Sequence, residues 1–429
     1  MTYLTALRRF NPNVRLCLIS TAIIGLTNFG GIFATILNLY LLRLGFGTQF
    51  IGMASFLGSL ALVLTCLPIN YLDRRFGSRK LLLAGLGINV ISSVAVQAAV
   101  FIPDNWRSGF TLIFYALNSV GLALYLVCSQ PFLAAATTRD VRGHVFSVQA
   151  ALWPLSGFVG SLLAGFIPGL INRFTGIPLS GPGPYQLTLW ISCIISVFAF
   201  LVMLPTTQPV PESESVEETH ATKSSKLNSI FQFFSGLSPN KIILFLSIIV
   251  AVQITGEASV RVFMNVYLDK ALLVSTFMIG MILGIGQLIA GIGALLTPLF
   301  TARLGNAMTY VIFSLAISAC MLPLVFIPTW LGASLGYMTS IMMIQIARPA
   351  LITIQMESVP IGSRASMSAA TTMAASFSVG LVGLVGGYWI PLFGYATFFF
   401  VCAWLTGLAA FSFWAYIKLP RIQKSQVLS

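Results

Sequence analysis

The chain has 429 residues, 57% of them apolar and 8% charged, with a formal charge of +13 at pH 7. So few charges cannot clothe a soluble body of this size, so lipid must be the solvent around most of the chain. The basic residues lie in short loops between apolar runs rather than in one solvated patch, which argues against nucleic acid as a partner.

A spanning helix takes about 20 predominantly apolar residues. In chain order, runs near 14–42, 49–72, 79–102, 108–135, 144–170 and 184–204 predict six spans. The stretch 205–240 then changes composition, with Glu212, Glu214, Glu217, Glu218, Lys223 and Lys226 set among Ser, Thr and Pro. It cannot bury apolar area and reads as a flexible linker, with Ile230 to Phe234 as a short interfacial helix. Six further runs follow near 241–268, 275–300, 306–328, 331–356, 364–390 and 392–417. The expected fold is therefore an all-α membrane protein. It has twelve transmembrane helices in two pseudo-symmetric six-helix bundles, 1–204 and 241–429, joined by the linker 205–240.

With both termini inside, 17 of the 23 Lys and Arg face the cytoplasm, and only Arg43, Arg107, Arg173 and Lys270 lie in outer loops. That bias orients the chain in a cell membrane with a cytoplasmic linker. The two remaining bases, Arg261 and Arg348, fall inside spans.

The halves also repeat. The first run ends Asn38-Leu-Tyr40-Leu, and Ile51-Gly52-Met53 opens the second; the seventh ends Asn265-Val-Tyr267-Leu, and Ile279-Gly280-Met281 opens the eighth. Pro68 precedes Arg75-Phe-Gly77, as Pro298 precedes Arg303-Leu-Gly305. Parallel repeats of this kind place a binding site between halves, near the bilayer midplane.

The loop after the second run reads Leu72-Asp73-Arg74-Arg75-Phe76-Gly77-Ser78-Arg79-Lys80. It is similar to the signature of the major facilitator superfamily between helices two and three, Gly-x-x-x-Asp-Arg-x-Gly-Arg-Arg/Lys, with Asp73 one residue further from Gly77 than usual. The second copy, around Arg303 and Gly305, lacks the acid. The resemblance implies a conformational latch formed by Asp73, Arg74, Gly77, Arg79, Arg303 and Gly305, whose charges pair in one state and release in another; alternatively they only fix topology. It also implies that helices one, four, seven and ten line the transport path. The fifth run, Trp153-Pro154-Leu-Ser-Gly157-Phe-Val-Gly160, weakly resembles the Gly/Pro-rich motif of family antiporters without its central Gly-Pro, a slight pointer to efflux.

Of ten acids only Glu257 sits deep in a span; Arg261 is one turn on, and Arg348 is in the tenth run. Each such group costs roughly 3 kcal/mol on insertion scales and needs a partner or a wet cavity. At helical spacing, polar residues share one face on four runs: Asn28, Thr35 and Asn38; Tyr115, Asn118 and Tyr125; Gln253, Glu257 and Arg261; and Tyr337, Arg348 and Gln355. Glu257 and Arg261 are the expected proton-coupling pair, and the others are expected to bind substrate; a structural pair at i, i+4 and plain interhelical hydrogen bonds are the alternatives. Two bases against one acid favour an anionic substrate group.

The expected function is secondary active transport of a small solute by alternating access, coupled to protons, with a slight lean to efflux of an amphiphilic or anionic compound. A facilitative uniporter, or a receptor or scaffold on the same fold, is the alternative. Neither a cofactor nor a metal is expected: the six cysteines are scattered, the two histidines lie apart, and no nucleotide-binding Gly-x-x-x-x-Gly-Lys-Ser/Thr occurs. The partners expected are the solute, protons and the lipid bilayer, with the chain a monomer.

Overall fold

The computed structural model describes residues 10–208, 241–360 and 363–418. Ten segments among them are long and apolar enough to cross a membrane. Two are double length. Thr276–Cys320 turns at Gly305 and Arg364–Lys418 turns at Gly394, so each holds two spans, which makes twelve among the described residues.

The turns at Gly77 (φ 83°, ψ 147°) and Gly305 (φ 75°, ψ 162°) adopt backbone angles open to glycine almost alone. At Gly305 the glycine alone separates two spans, whereas Gly77 joins the short helix Ile69–Phe76, which follows the second span, to the third span at Ser78.

By packing, the chain divides into two compact units, Met1–Gly45 with Leu57–Ser225, and Phe46–Phe56 with Lys226–Ser429. The stretch Phe46–Phe56 opens the second span, Thr48–Cys66. Within the second unit, Gly52 packs on the backbone of Gly383 and Gly387, and Thr48 Oγ1 donates to Gly387 O at 3.1 Å.

In the first unit, the third span (Ser78–Gln97) and the fourth (Asp104–Ala135) cross backbone to backbone. A side chain on Gly85 would meet Gly121 O at 2.8 Å, and one on Gly121 would meet Asn89 N at 2.7 Å. Small residues drive such crossings in lipid, where burial of apolar surface contributes little. Val14, Leu82, Tyr125 and Phe132 are buried in this unit's core. The second unit has its own core around Ile243, Tyr310, Ala347 and Phe413, with the Tyr310 and Phe413 rings edge to face at 5.0 Å.

Two runs that read as continuous are broken. The first span is Pro12–Thr27 followed by Ile32–Arg43, parted at Asn28-Phe29-Gly30-Gly31, where Gly30 has φ 73°. The seventh is Lys241–Gln253 followed by Thr255–Val266, parted at Ile254 and ending in the π-helical turn Tyr267–Ala271. The segment Ile230 to Phe234 and most of the linker lie outside the described residues.

Candidate functional site

The charged groups that lie within spans, Glu257, Arg261 and Arg348, are gathered in the second unit. Glu257 lies in the first turn of Thr255–Val266, and Arg348 lies in the tenth span, Trp330–Glu357, just before Pro349. Arg348 Nη2 is 2.7 Å from Glu257 Oε1 and 2.8 Å from Oε2, so one nitrogen bridges both oxygens. Arg261 Nη1 is 3.9 Å from Oε1, at the outer limit of an ion pair. Of the alternatives that the sequence leaves open, Arg348 is the direct partner and Arg261 the more distant one.

Exposure shows what surrounds this centre. The Glu257 side chain is 13% exposed, while Arg348 is 44% and Arg261 is 49% exposed. Guanidinium groups half open to their surroundings in the middle of apolar spans cannot face hydrocarbon, so the face they line is wet. Gln253, half-buried, stands one turn before Glu257. The remaining N–H groups of Arg348 make no hydrogen bond among the described residues. One carboxylate against two guanidinium groups leaves a net positive charge.

Tyr337 and Gln355, grouped with Arg348 by spacing, are buried instead. The Tyr337 ring packs directly on Gly286 of the eighth span, and Gln355 Oε1 is 3.5 Å from the Thr371 hydroxyl that donates to it.

In the first unit the polar residues fall into two groups. Asn28, Asn38 and Tyr115 are half-buried. Thr35, Asn118 and Tyr125 are buried, with polar partners on neighbouring helices. Tyr125 Oη is 3.0 Å from Thr21 Oγ1, and Thr35 Oγ1 is 3.4 Å from Ser161 Oγ. Asn118 Nδ2 donates to Ser93 Oγ at 2.9 Å and to Asn89 O at 3.3 Å. Asn89 and Asn28 also face each other amide to amide at 3.4 Å. Helical spacing placed all six on common faces, but the width of those faces is set by helix packing that spacing alone does not report.

In the loop of the signature, Arg79 is tied to the end of the sixth span (Gly183–Met203): Nη2 donates to Leu204 O at 2.8 Å, Nε to Thr206 Oγ1 at 3.4 Å, and its backbone N–H to Gln208 Oε1 at 3.2 Å. A cation on terminal carbonyls also matches the negative end of the helix dipole. Asp73 is half-buried, and its buried Oδ1 has no hydrogen-bond partner among the described residues. Burial raises its carboxyl above the ordinary carboxylate value. Arg303 is exposed, and the side chain of Arg74 lies outside the described residues.

Sequence reading missed Asn89, Ser161 and Thr406. Ser161 donates to Gly30 O at the break in the first span, and Thr406 reaches into the break in the seventh. The Gly30-Gly31 pair was the available signal for the first break; nothing in 251–258 signalled the second beyond Gly256.

The profile of the Major Facilitator Superfamily matches residues 17–383. Among solved structures, the chain is similar to a mutant of the nucleoside transporter NupG, with a TM-score of 0.73 at 16% identity over 94% of this chain and 99% of that one. It is similar also to a bacterial homolog of the human lysosomal transporter Spinster, with a TM-score of 0.72 at 13% identity over 94% and 97%. The xylose transporter XylE from E. coli gives a TM-score of 0.71 at 14% identity over 95% and 96%. At such identities the likeness speaks for the fold alone. Among curated proteins no sequence matches. A profile match over most of the length carries the assignment: this chain belongs to the Major Facilitator Superfamily, a multi-pass membrane transporter of small solutes and not an enzyme.

Proposed function

We propose that the chain is a secondary active transporter that moves a small amphiphilic solute bearing an anionic group, by alternating access and with proton coupling through Glu257. The observation that carries this reading is the bridge from Arg348 to Glu257, with Arg261 3.9 Å away, on an accessible face. A solute anion competes with the Glu257 carboxylate for Arg348. The carboxylate so released exchanges a proton, and loss of the solute restores the bridge. Asn28, Asn38, Tyr115 and Gln253, half-buried like Glu257, supply neutral polar contacts, while Thr35, Asn118, Tyr125, Tyr337 and Gln355 position the helices that carry them.

The latch role rests on Arg79 and Asp73. Arg79 is held by carbonyl and hydroxyl oxygens here, and Asp73 lacks a described partner for Oδ1, as expected of groups that exchange partners between states. The Pro154, Gly157 and Gly160 pattern of the fifth span tilts the reading slightly toward export. The bundles 1–204 and 241–429 flank a cytoplasmic linker, so a cysteine placed at Ser224 reacts with an impermeant reagent only after the membrane is opened.

The test is a solute screen in proteoliposomes under an imposed pH gradient. Gradient-driven accumulation of an organic anion supports the reading. Flux that only follows the solute's own gradient makes the protein a facilitative uniporter, and preference for cationic solutes removes the role given to Arg348.

A further inference from the structure

The sequence of the seventh span does not by itself account for its break. Residues 251–258 read Ala-Val-Gln-Ile-Thr-Gly-Glu-Ala, with no proline and a single glycine. Sharp interruptions without proline arise where a side chain or water inserts into the backbone ladder. Here the inserted group is a hydroxyl of the twelfth span. Thr406 Oγ1 accepts from Gly256 N at 3.0 Å, and its one proton is shared between Cys402 O at 2.9 Å and Gln253 O at 3.2 Å. A side chain on Gly256 would come within 2.7 Å of that hydroxyl and 2.9 Å of Met321 Sδ, so the glycine is the gap through which Thr406 enters.

The other carbonyls at the break are also served by hydroxyls. Ser378 Oγ, on the eleventh span, donates to Ala251 O at 2.6 Å, and Thr255 Oγ1 donates to Val252 O at 2.8 Å. In lipid, irregular backbone persists only where neighbours satisfy its polar groups. Three carbonyls and one N–H are satisfied in this way, and Glu257 follows three residues after Ile254. The half-helix that carries Glu257 therefore takes its direction from contacts made by two other spans.

We propose that Thr406, seconded by Ser378, is a positioning residue that holds the seventh span broken and so aims Glu257 at Arg348. Without the hydroxyl, Gly256 N–H has one good alternative, Val252 O four residues back, and closing that bond straightens the span. The break is then a built joint, set by side chains outside the segment that bends.

The test uses full-length protein in lipid nanodiscs, with spin labels at Leu244 and Lys270 on either side of the break, and reads their separation by double electron–electron resonance. A straight helix would put these positions about 39 Å apart, and a bend at the break shortens that separation. Thr406→Val, equal in size but without the hydroxyl, shifts the distance toward the straight value; Thr406→Ser, which keeps the hydroxyl, returns it to the native one. Ser378→Ala gives a smaller shift in the same direction. If the valine variant does not fold, Thr406→Ala removes the same hydroxyl without added bulk and carries the same expectation. An unchanged distance in the variants lacking the hydroxyl overturns the proposal even if Tm falls, because packing alone then accounts for Thr406. A serine variant as lengthened as the valine variant overturns it too. No solute enters this measurement, so its outcome is independent of the transport reading above.

Discussion

A single nitrogen of Arg348 bridges both carboxylate oxygens of Glu257, at 2.7 and 2.8 Å. This end-on contact leaves the rest of the guanidinium fork available, and guanidinium is the side chain best shaped to take a second planar anion. Under the function proposed above, the pair is the closed form of a site that a competing anion opens.

Glu257→Gln keeps the shape and one acceptor oxygen but cannot carry charge. We expect it to abolish accumulation driven by an imposed pH gradient in proteoliposomes while exchange of labelled solute across the membrane continues. Unchanged gradient-driven accumulation would falsify proton coupling at this residue and leave Glu257 as a structural counterion.

Arg348→Ala strands the Glu257 carboxylate with only the more distant Arg261, and an uncompensated charge at this depth costs about 3 kcal/mol. Removing both charges together, as Glu257→Gln with Arg348→Met, costs less than removing Arg348 alone, because no charge is left unmatched. Tm followed by intrinsic tryptophan fluorescence in detergent separates the cases. A double variant less stable than Arg348→Ala would show that the pair contributes more than the cancellation of its own charges.

Asp73 gives a pH-dependent expectation. Burial raises its carboxyl above the ordinary value of 3.8, so the folded chain binds that proton more tightly than the unfolded chain does. The ionised carboxylate therefore subtracts stability at neutral pH, and the penalty fades as pH falls through the raised value toward 3.8. Asp73→Asn should have the higher Tm near neutrality, with the gap closing on acidification, while its transport slows. A lower Tm with the variant near neutrality would mean that Asp73 is well paired in the fold.

Gly305→Ala should cost about 1–3 kcal/mol, the strain of a side chain at a backbone conformation that glycine alone tolerates. No atom lies within 4 Å of the added methyl, so the loss is conformational and not steric. Gly47→Ala is the control, since Gly47 is equally unobstructed and has no positive φ. Equal Tm values for the two variants would remove the backbone argument.

Much of the architecture was legible because membranes impose strong rules. Apolar run length gave the spans, and the loop signature and its second copy placed Gly77 and Gly305 between spans. The charge centre was legible for the same reason, since Glu257, Arg261 and Arg348 are costly where they stand and so are conspicuous. What stayed hidden depends on distances between helices. Thr35 and Asn38 differ by three residues and look alike in a helical projection, yet one is buried against Ser161 and the other is half-buried. Asn89 was invisible because an asparagine on the third run carries no mark of its contact with Asn28, 61 positions earlier. Thr406 was hidden for the same reason, since the segment it bends lies about 150 residues away.

The amides of Asn28, Asn89 and Asn118, with Ser93, join the first, third and fourth spans inside the first unit. Dispersion between apolar helices changes little if one slides or rotates by a residue, so packing alone tolerates many near-equal alignments in the bilayer. Directional amide bonds do not: a slip of one residue turns a side chain by about 100° and forfeits the whole set. The network thus works as a checksum on assembly, rewarding one alignment of three helices and leaving unsatisfied amides in every misaligned one. Substitutions at Asn89 should accordingly show up less as altered solute handling than as several coexisting arrangements of otherwise well-formed helices.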